Sequence, residues 1–212
     1  MSHKQTYNET LAKTIIKNLA KRRMEGFYCA TAAEAKEKVL SMIAPGTSVA
    51  FGGAMTLNES GILTALRERT DITLLDRDAA KTPEEAGVIY RQAFSADTYL
   101  MSTNAITMDG ELINIDGRGN RVAALIFGPG QVIIVAGMNK VATDLDAGMA
   151  RARNVAAPTN CMRFGKTTPC TVTGRCGDCY GDDSICSQIV VTRRSSEKNR
   201  IKVILVGEEL GY

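Results

Sequence analysis

The spacing of apolar positions changes along the chain, and the changes delimit the elements. Leu11, Ile15, Ile16 and Leu19 recur at helical spacing. Thr6 and Glu9 ahead of them have the T-x-x-E form of a capping box. Residues 27–30 form a short strand. Thr31 and Glu34 repeat the box before a helix through Val39, Leu40 and Ile43, which Pro45 and Gly46 stop. Residues 48–51 read as a buried strand running into Gly52 and Gly53. Thr56 and Glu59 make a third box before Leu57, Ile62, Leu63 and Leu66. Residues 72–75 are the next strand. Thr82 and Glu85 make a fourth box, with Pro83 at the favoured first helical position and a helix to about Phe94.

The second half continues the alternation. Residues 98–101 are a strand that leads into STNA. Asp109-Gly110 between alternating apolar residues signals a hairpin. Residues 120–126 read as a short helix, 131–136 as a strongly apolar strand and 143–155 as a helix. After Pro158 the pattern dissolves into a Cys-rich loop over about residues 158–187. Two β-branched runs, 188–192 and 202–206, close the chain as strands around the charged turn RRSSEKNR. Strands and helices alternating in this way predict a largely parallel sheet flanked by helices, an α/β fold. No repeat or interdomain linker interrupts it. The expected organisation is one domain over residues 1–212, with an N-terminal helical segment at about 6–44.

Composition narrows the classes. A chain of 212 residues suffices for one α/β domain with a sizeable core. The net charge of +3 is small and dispersed, which points to neither a nucleic-acid nor a membrane partner. No apolar run approaches the roughly 20 residues that span a bilayer. The N-terminal MSHKQTYNET has no apolar signal core, so a cytoplasmic, reducing setting is expected, where structural disulfides are disfavoured. The sole histidine is His3. That effectively excludes a Ser-His-Asp triad, a Cys-His pair and an HExxH zinc site. Chemistry here must use carboxylates, Lys, Arg, Tyr, Cys, backbone amides or a bound cofactor.

Four thiols stand out: Cys170, Cys176, Cys179 and Cys186, with a C-x-x-C core and Gly174, Gly177 and Gly181 between them. Four thiolates suit tetrahedral zinc or a four-cysteine iron–sulfur cluster. The surrounding segment is too polar to build its own core, so a metal would supply its folding energy. The second C-x-x-C knuckle common at zinc sites is missing, which favours a [4Fe–4S] cluster over zinc. Free thiols or a facultative disulfide are the third reading. Cys161 nearby could be a spare ligand or a redox-active thiol and reads first as a small buried side chain; Cys29 reads as core.

A second candidate lies in FGGAMTLNESG, where a strand ends and a helix begins. Gly52, Gly53 and Thr56 could offer amides and a hydroxyl to an anion, or simply form a capped turn. Glu59 is a carboxylate beside it. The loops STNA, NIDGRGNR and GMNK also adjoin strand ends, and loops on one rim of a parallel sheet converge. They contribute Asn104, Asp116, Asn120, Arg121, Asn139 and Lys140. Arg121 or Lys140 could pair with a carboxylate, and Glu59 or Asp116 could accept a proton.

GGAMTLNESG, STNAITMDGELINIDGRGNRVAALIFGP and VIIVAGMNKVATDLDAGMARARNVAAP together resemble the lactate-utilisation (LUD) domain family, over about residues 50–186. The resemblance implies a Rossmann-like three-layer α/β/α sandwich, similar to the ribose-phosphate isomerase, glucosamine-phosphate deaminase and CoA-transferase superfamily. It also implies oxidation of a small 2-hydroxy acid such as lactate alongside iron–sulfur partner proteins. The chain looks like a short member with a C-terminal four-cysteine segment in place of an appended ferredoxin-like domain. The alternative is a non-redox isomerase, transferase or ligand sensor for a sugar phosphate or acyl-CoA, with zinc closing the loop. Homo-oligomerisation stays open.

Overall fold

The computed structural model describes residues 2–212. The chain runs α1 (His3–Lys21), β1 (Glu25–Cys29), α2 (Ala32–Ser41), β2 (Ser48–Phe51), α3 (Met55–Glu59), α4 (Ile62–Glu68) and β3 (Thr73–Leu75). It continues through α5 (Pro83–Gln92), β4 (Thr98–Met101), β5 (Ala105–Thr107), β6 (Leu112–Asp116), α6 (Asn120–Ile126) and β7 (Gln131–Gly137). It ends with β8 (Val141–Ala142), α7 (Leu145–Arg151), α8 (Ala157–Arg163), α9 (Pro169–Thr173), β9 (Gln188–Thr192) and β10 (Ile201–Val206).

Six strands form a wholly parallel sheet in the order β1-β10-β7-β4-β2-β3. Alternate side chains of its strands enter two separate cores. Ala50, Tyr99, Met101, Val132, Ile134, Val203 and Leu205 pack with Ala12, Ile15 and Leu19 of α1 and with Ala124 and Leu125 of α6. Val49, Phe51, Leu100, Ile133, Val135, Ile204 and Val206 pack with Ala35 and Val39 of α2 and with Leu57, Ile62, Leu63 and Leu66 of α3 and α4. Strands covered on both faces must be apolar throughout, which explains runs such as VIIVA. The result is the Rossmann-like three-layer sandwich.

A smaller sheet, β8-β5-β6-β9, stands beyond the carboxyl end of β4. The expected hairpin is its centre: Gly110, at φ 89°, turns antiparallel β5 into β6. β9 and β10 do not pair with each other across the charged turn. β9 joins β6 in the small sheet, and β10 lies between β1 and β7 in the large one. β-branched composition predicts a strand but not which sheet it enters.

Two of the four capping boxes form on the threonine side, while the Glu34 and Glu85 carboxylates reach one residue further back, to Ala30 N–H and Lys81 N–H. The Thr31 hydroxyl accepts Glu34 N–H at 3.2 Å, and Thr82 accepts Glu85 N–H at 3.2 Å. The first helix begins earlier than its pattern suggests, with Ser2 and Gln5 making the box, so Thr6 lies inside the helix. The Thr56–Glu59 box does not form. Ala54 is the N-cap of α3, and Gly61, at φ 71°, splits the expected helix into α3 and α4. Pro158 does not end its helix either. Residues Ala152–Ala156 widen into a π-turn between α7 and α8, and the helical path continues to Arg163. A π-turn changes the hydrogen-bond register where proline brings no N–H, and such turns often sit at functional sites.

No helix among the described residues is long and apolar enough to cross a membrane.

Candidate functional site

β7, β4 and β2 are neighbours, so their carboxyl ends bring three loops together: Gly52-Gly53, Ser102–Asn104 and Met138–Lys140. From β2 the chain moves outward to β3, and from β4 it moves the other way to β7. The crevice between β2 and β4 is therefore a topological switch point, where open α/β sheets hold ligands.

Lys140 sits at this crevice, 2% exposed. Its Nζ donates to the Thr56 hydroxyl at 2.9 Å and the Ser102 hydroxyl at 3.0 Å. Thr56 in turn donates to Leu210 O at 3.2 Å. No carboxylate among the described residues makes an ion pair with Lys140. Burial pushes its pKa down from 10.5 to about 7, and the cationic Arg151 and Arg121 push the same way, against a weaker opposing pull from Glu59. Lys140 lines a cavity of about 40 Å³ together with Gly53, Ser102, Asn104, Asn160, Arg163 and Tyr212.

Arg121 is committed to the protein. Its Nη atoms donate to Ser102 O at 3.1 Å, Ile115 O at 2.8 Å, Asn104 Oδ1 at 3.2 Å and Asn114 Oδ1. Its Nε lies 3.3 Å from Asp116 Oδ2. The guanidinium thus fastens the STNA loop to the β6–α6 turn, and its charge rather than a free hydrogen-bonding face reaches the cavity. Asp116 also accepts Gly119 N–H at 3.1 Å. Arg151 does for α7 what Arg121 does for α6, donating to Asn139 O at 3.0 Å and to Asn104 O.

The remaining sequence candidates divide. Gly52 is buried, and a Cβ there would lie 3.0 Å from the Tyr99 hydroxyl and 3.3 Å from Arg121 Cγ and Cδ, so tight packing requires this glycine. Gly53 lines the cavity. Asn120 lines the neighbouring cleft. Asn139 is taken by the C-terminal strap: its amide donates to Gly211 O at 3.1 Å and accepts Leu210 N–H at 3.2 Å. Glu59 accepts Gly211 N–H at 2.6 Å and lines neither cavity nor cleft. Sequence reading missed Ser102, Arg151, Asn160, Arg163 and Tyr212. Ser102 lay within a flagged loop. Asn160 and Arg163 lay past Pro158, where the helical pattern looked finished.

The small cavity adjoins a wider cleft of about 670 Å³, with Gly53, Asn104, Arg121, Asn160 and Arg163 lining both. Arg77, Lys81, Arg118 and Lys166 make the cleft cationic. The cleft in turn shares Ile115, Ala157, Ser184 and Ile185 with a third cavity, of about 440 Å³. Cys170, Cys176, Cys179 and Cys186 all line that third cavity, and so does Cys161 from α8. The Cys170 sulfur lies 3.2 Å from the Thr168 hydroxyl. Burial, then the neighbouring thiols, pushes Cys186 up to about 11. The loop is anchored by Asp183, which accepts Thr167 N–H at 2.8 Å, the Thr167 hydroxyl at 2.7 Å and Lys166 Nζ at 3.0 Å. Among the described residues no three His, Cys, Asp or Glu side chains converge as ligands of a single ion. Cys29 is on β1, in the core opposite α1.

Comparison with known proteins places the chain. The family model of the LUD domain matches residues 12–206. A DUF162 family protein from Deinococcus radiodurans shares the fold at TM-score 0.55 and 13% identity, covering 94% of this chain and 98% of that one. Weaker likenesses are to eIF2B delta from Chaetomium thermophilum, at TM-score 0.35 and 17% identity over 50% of this chain and 46% of that one, and to the eIF2B-beta2-delta2 complex of C. thermophilum, at TM-score 0.43 and 15% identity over 87% and 56%. No curated protein matches.

Proposed function

The chain belongs to the LUD domain family, and on that premise we propose that it binds a small carboxylate such as a 2-hydroxy acid in the Lys140 cavity and carries a [4Fe–4S] cluster on Cys170, Cys176, Cys179 and Cys186. The observation that carries this reading is the series of adjoining spaces: the Lys140 cavity, the cationic cleft and the thiol cavity share walls in that order.

Four thiolates on one cavity would suit a four-cysteine cluster. Zinc with Zn–S bonds of about 2.3 Å holds its thiolates about 3.8 Å apart around one point. Here Cys170, Cys176, Cys179 and Cys186 line one cavity of about 440 Å³, room for a group larger than a single ion. When bound, a [4Fe–4S] cluster supplies one-electron transfer. The chain's own residues do the rest. Arg163 lines the small cavity; its Nε donates to Asn160 Oδ1 at 3.1 Å and its guanidinium stacks over the Phe164 ring, 4.3 Å from the centroid, which leaves the Nη atoms to take a carboxylate. Lys140, poised near neutral pH, accepts the proton of the substrate hydroxyl, and Thr56 and Ser102 orient its nitrogen. Oxidation of a 2-hydroxy acid to a 2-oxo acid also removes the Cα hydrogen with an electron pair, so a two-electron (hydride) acceptor on a partner protein would take these, and the electrons would pass onward through iron–sulfur centres one at a time.

The cationic cleft favours one alternative, a phosphate-bearing ligand such as a sugar phosphate or acyl-CoA, with zinc as a structural clasp. Calorimetric titration on oxygen-free protein separates the two. L-lactate and pyruvate should bind, and Arg163→Ala should weaken both. Binding of sugar phosphates or CoA esters without binding of either acid would select the alternative.

A further inference from the structure

We infer that the Lys140 amine is a nucleophile towards carbonyl compounds and forms an imine with a 2-oxo acid held in the small cavity. The inference deepens the proposed function and rests on its carboxylate site, since a 2-oxo acid is the product of oxidising a 2-hydroxy acid.

Hydrogen-bond accounting at Nζ supports it. An ammonium has three protons to place and a neutral amine has two. The protein provides two acceptors, the hydroxyls of Thr56 and Ser102, and no third partner among the described residues. A neutral amine is then fully satisfied and keeps its lone pair, on a residue that lines a cavity. The charged groups around it favour the same form. Arg121 on α6 and Arg151 on α7 bring positive charge, and no carboxylate forms an ion pair with the nitrogen to stabilise the ammonium. Glu59 on α3 is the one acidic influence, and it is engaged with Gly211 N–H at 2.6 Å. The strap Leu210–Tyr212 closes over the nitrogen: a Cβ on Gly211 would lie 3.3 Å from Nζ. A desolvated, uncompensated lysine is the form in which this side chain attacks carbonyls.

The step balances without a redox partner. The nitrogen bonds to the carbonyl carbon, the carbon–oxygen double bond is replaced by a carbon–nitrogen double bond, and the oxygen leaves as water with both amine protons. Arg163, across the same cavity, would pair with the carboxylate. That selects 2-oxo acids over simple aldehydes.

The test is reductive trapping. Protein and pyruvate are mixed with cyanoborohydride, and labelled peptides are mapped by mass spectrometry, with calorimetry of pyruvate binding run in parallel. The label should concentrate on Lys140, rise through half-maximum near pH 7 and fall about tenfold in Arg163→Ala, the loss expected for a charged hydrogen bond. Lys140→Met, checked for folding by circular dichroism, should lose it. Pyruvate that binds while Lys140 labels no more than surface lysines overturns the imine and leaves the carboxylate site standing. Neither binding nor label overturns both.

Discussion

Replacing Lys140 by Met should stabilise the protein at neutral pH. The unfolded chain carries this lysine with a pKa of 10.5, and the folded chain holds it at about 7. Between those values the unfolded state binds the extra proton, so the stability this group permits rises with pH across that window and is lowest below about 7. At pH 7 the handicap is about 4 kcal/mol, and at about pH 9.5 it has fallen to about 1 kcal/mol. Methionine removes the handicap together with two hydrogen bonds, to Thr56 and Ser102, worth about 1 kcal/mol each. Thr56 keeps Leu210 O as a partner, so no hydroxyl is left wholly stranded. The net expectation is a gain of about 2 kcal/mol at pH 7 that turns into a loss of about 1 kcal/mol at about pH 9.5. Urea denaturation of both proteins at the two pH values measures this, and taking the difference cancels the titration of the thiols. A variant less stable than the parent at pH 7, or a difference that does not change with pH, would refute the buried, uncompensated amine.

Other substitutions probe the supports of the site. Arg121→Met removes the guanidinium that fastens Ser102, Asn104, Asn114 and Ile115 and strands the Asp116 carboxylate, 10% exposed. It should cost about 4 kcal/mol in chemical denaturation, and a loss below about 1 kcal/mol would show that the clamp is solvated. Gly137→Ala would place a Cβ 2.6 Å from Leu210 N and 2.7 Å from Glu208 O, both backbone atoms. It should destabilise by about 1–3 kcal/mol and free the strap, read as faster acetylation of Lys140 by an amine-reactive reagent. Cys176→Ser with Cys179→Ser should remove bound metal and speed proteolysis near Arg175 while leaving lactate binding intact, and unchanged metal content would remove both residues from the ligand set.

The sequence exposes the sheet more fully than the site, for a physical reason. A strand covered on both faces must be apolar along its length, so β2, β4 and β7 can be read from composition alone. Hairpin chemistry at Asp109-Gly110 is equally local. The site is a matter of which loops become neighbours. Lys140, Thr56 and Ser102 are far apart in the chain and meet only because β7, β4 and β2 are adjacent. Thr56 and Glu59 have the spacing of a capping box, yet tertiary partners outbid it: Lys140 and Leu210 take the hydroxyl, and Gly211 takes the carboxylate. Asn160 and Arg163 escaped notice because proline usually closes a helix, and here the π-turn carries the helical path past it. The thiols were conspicuous by spacing, but only the fold adds Cys161 to their cavity and sets that cavity beside the cleft.

The most direct test of the account is iron, sulfide and zinc analysis of protein purified without oxygen, with its absorption spectrum. The proposed function requires about four irons and four sulfides per chain, with colour that bleaches on reduction. One zinc, no sulfide and no colour would contradict it and leave the thiol cavity a structural clasp.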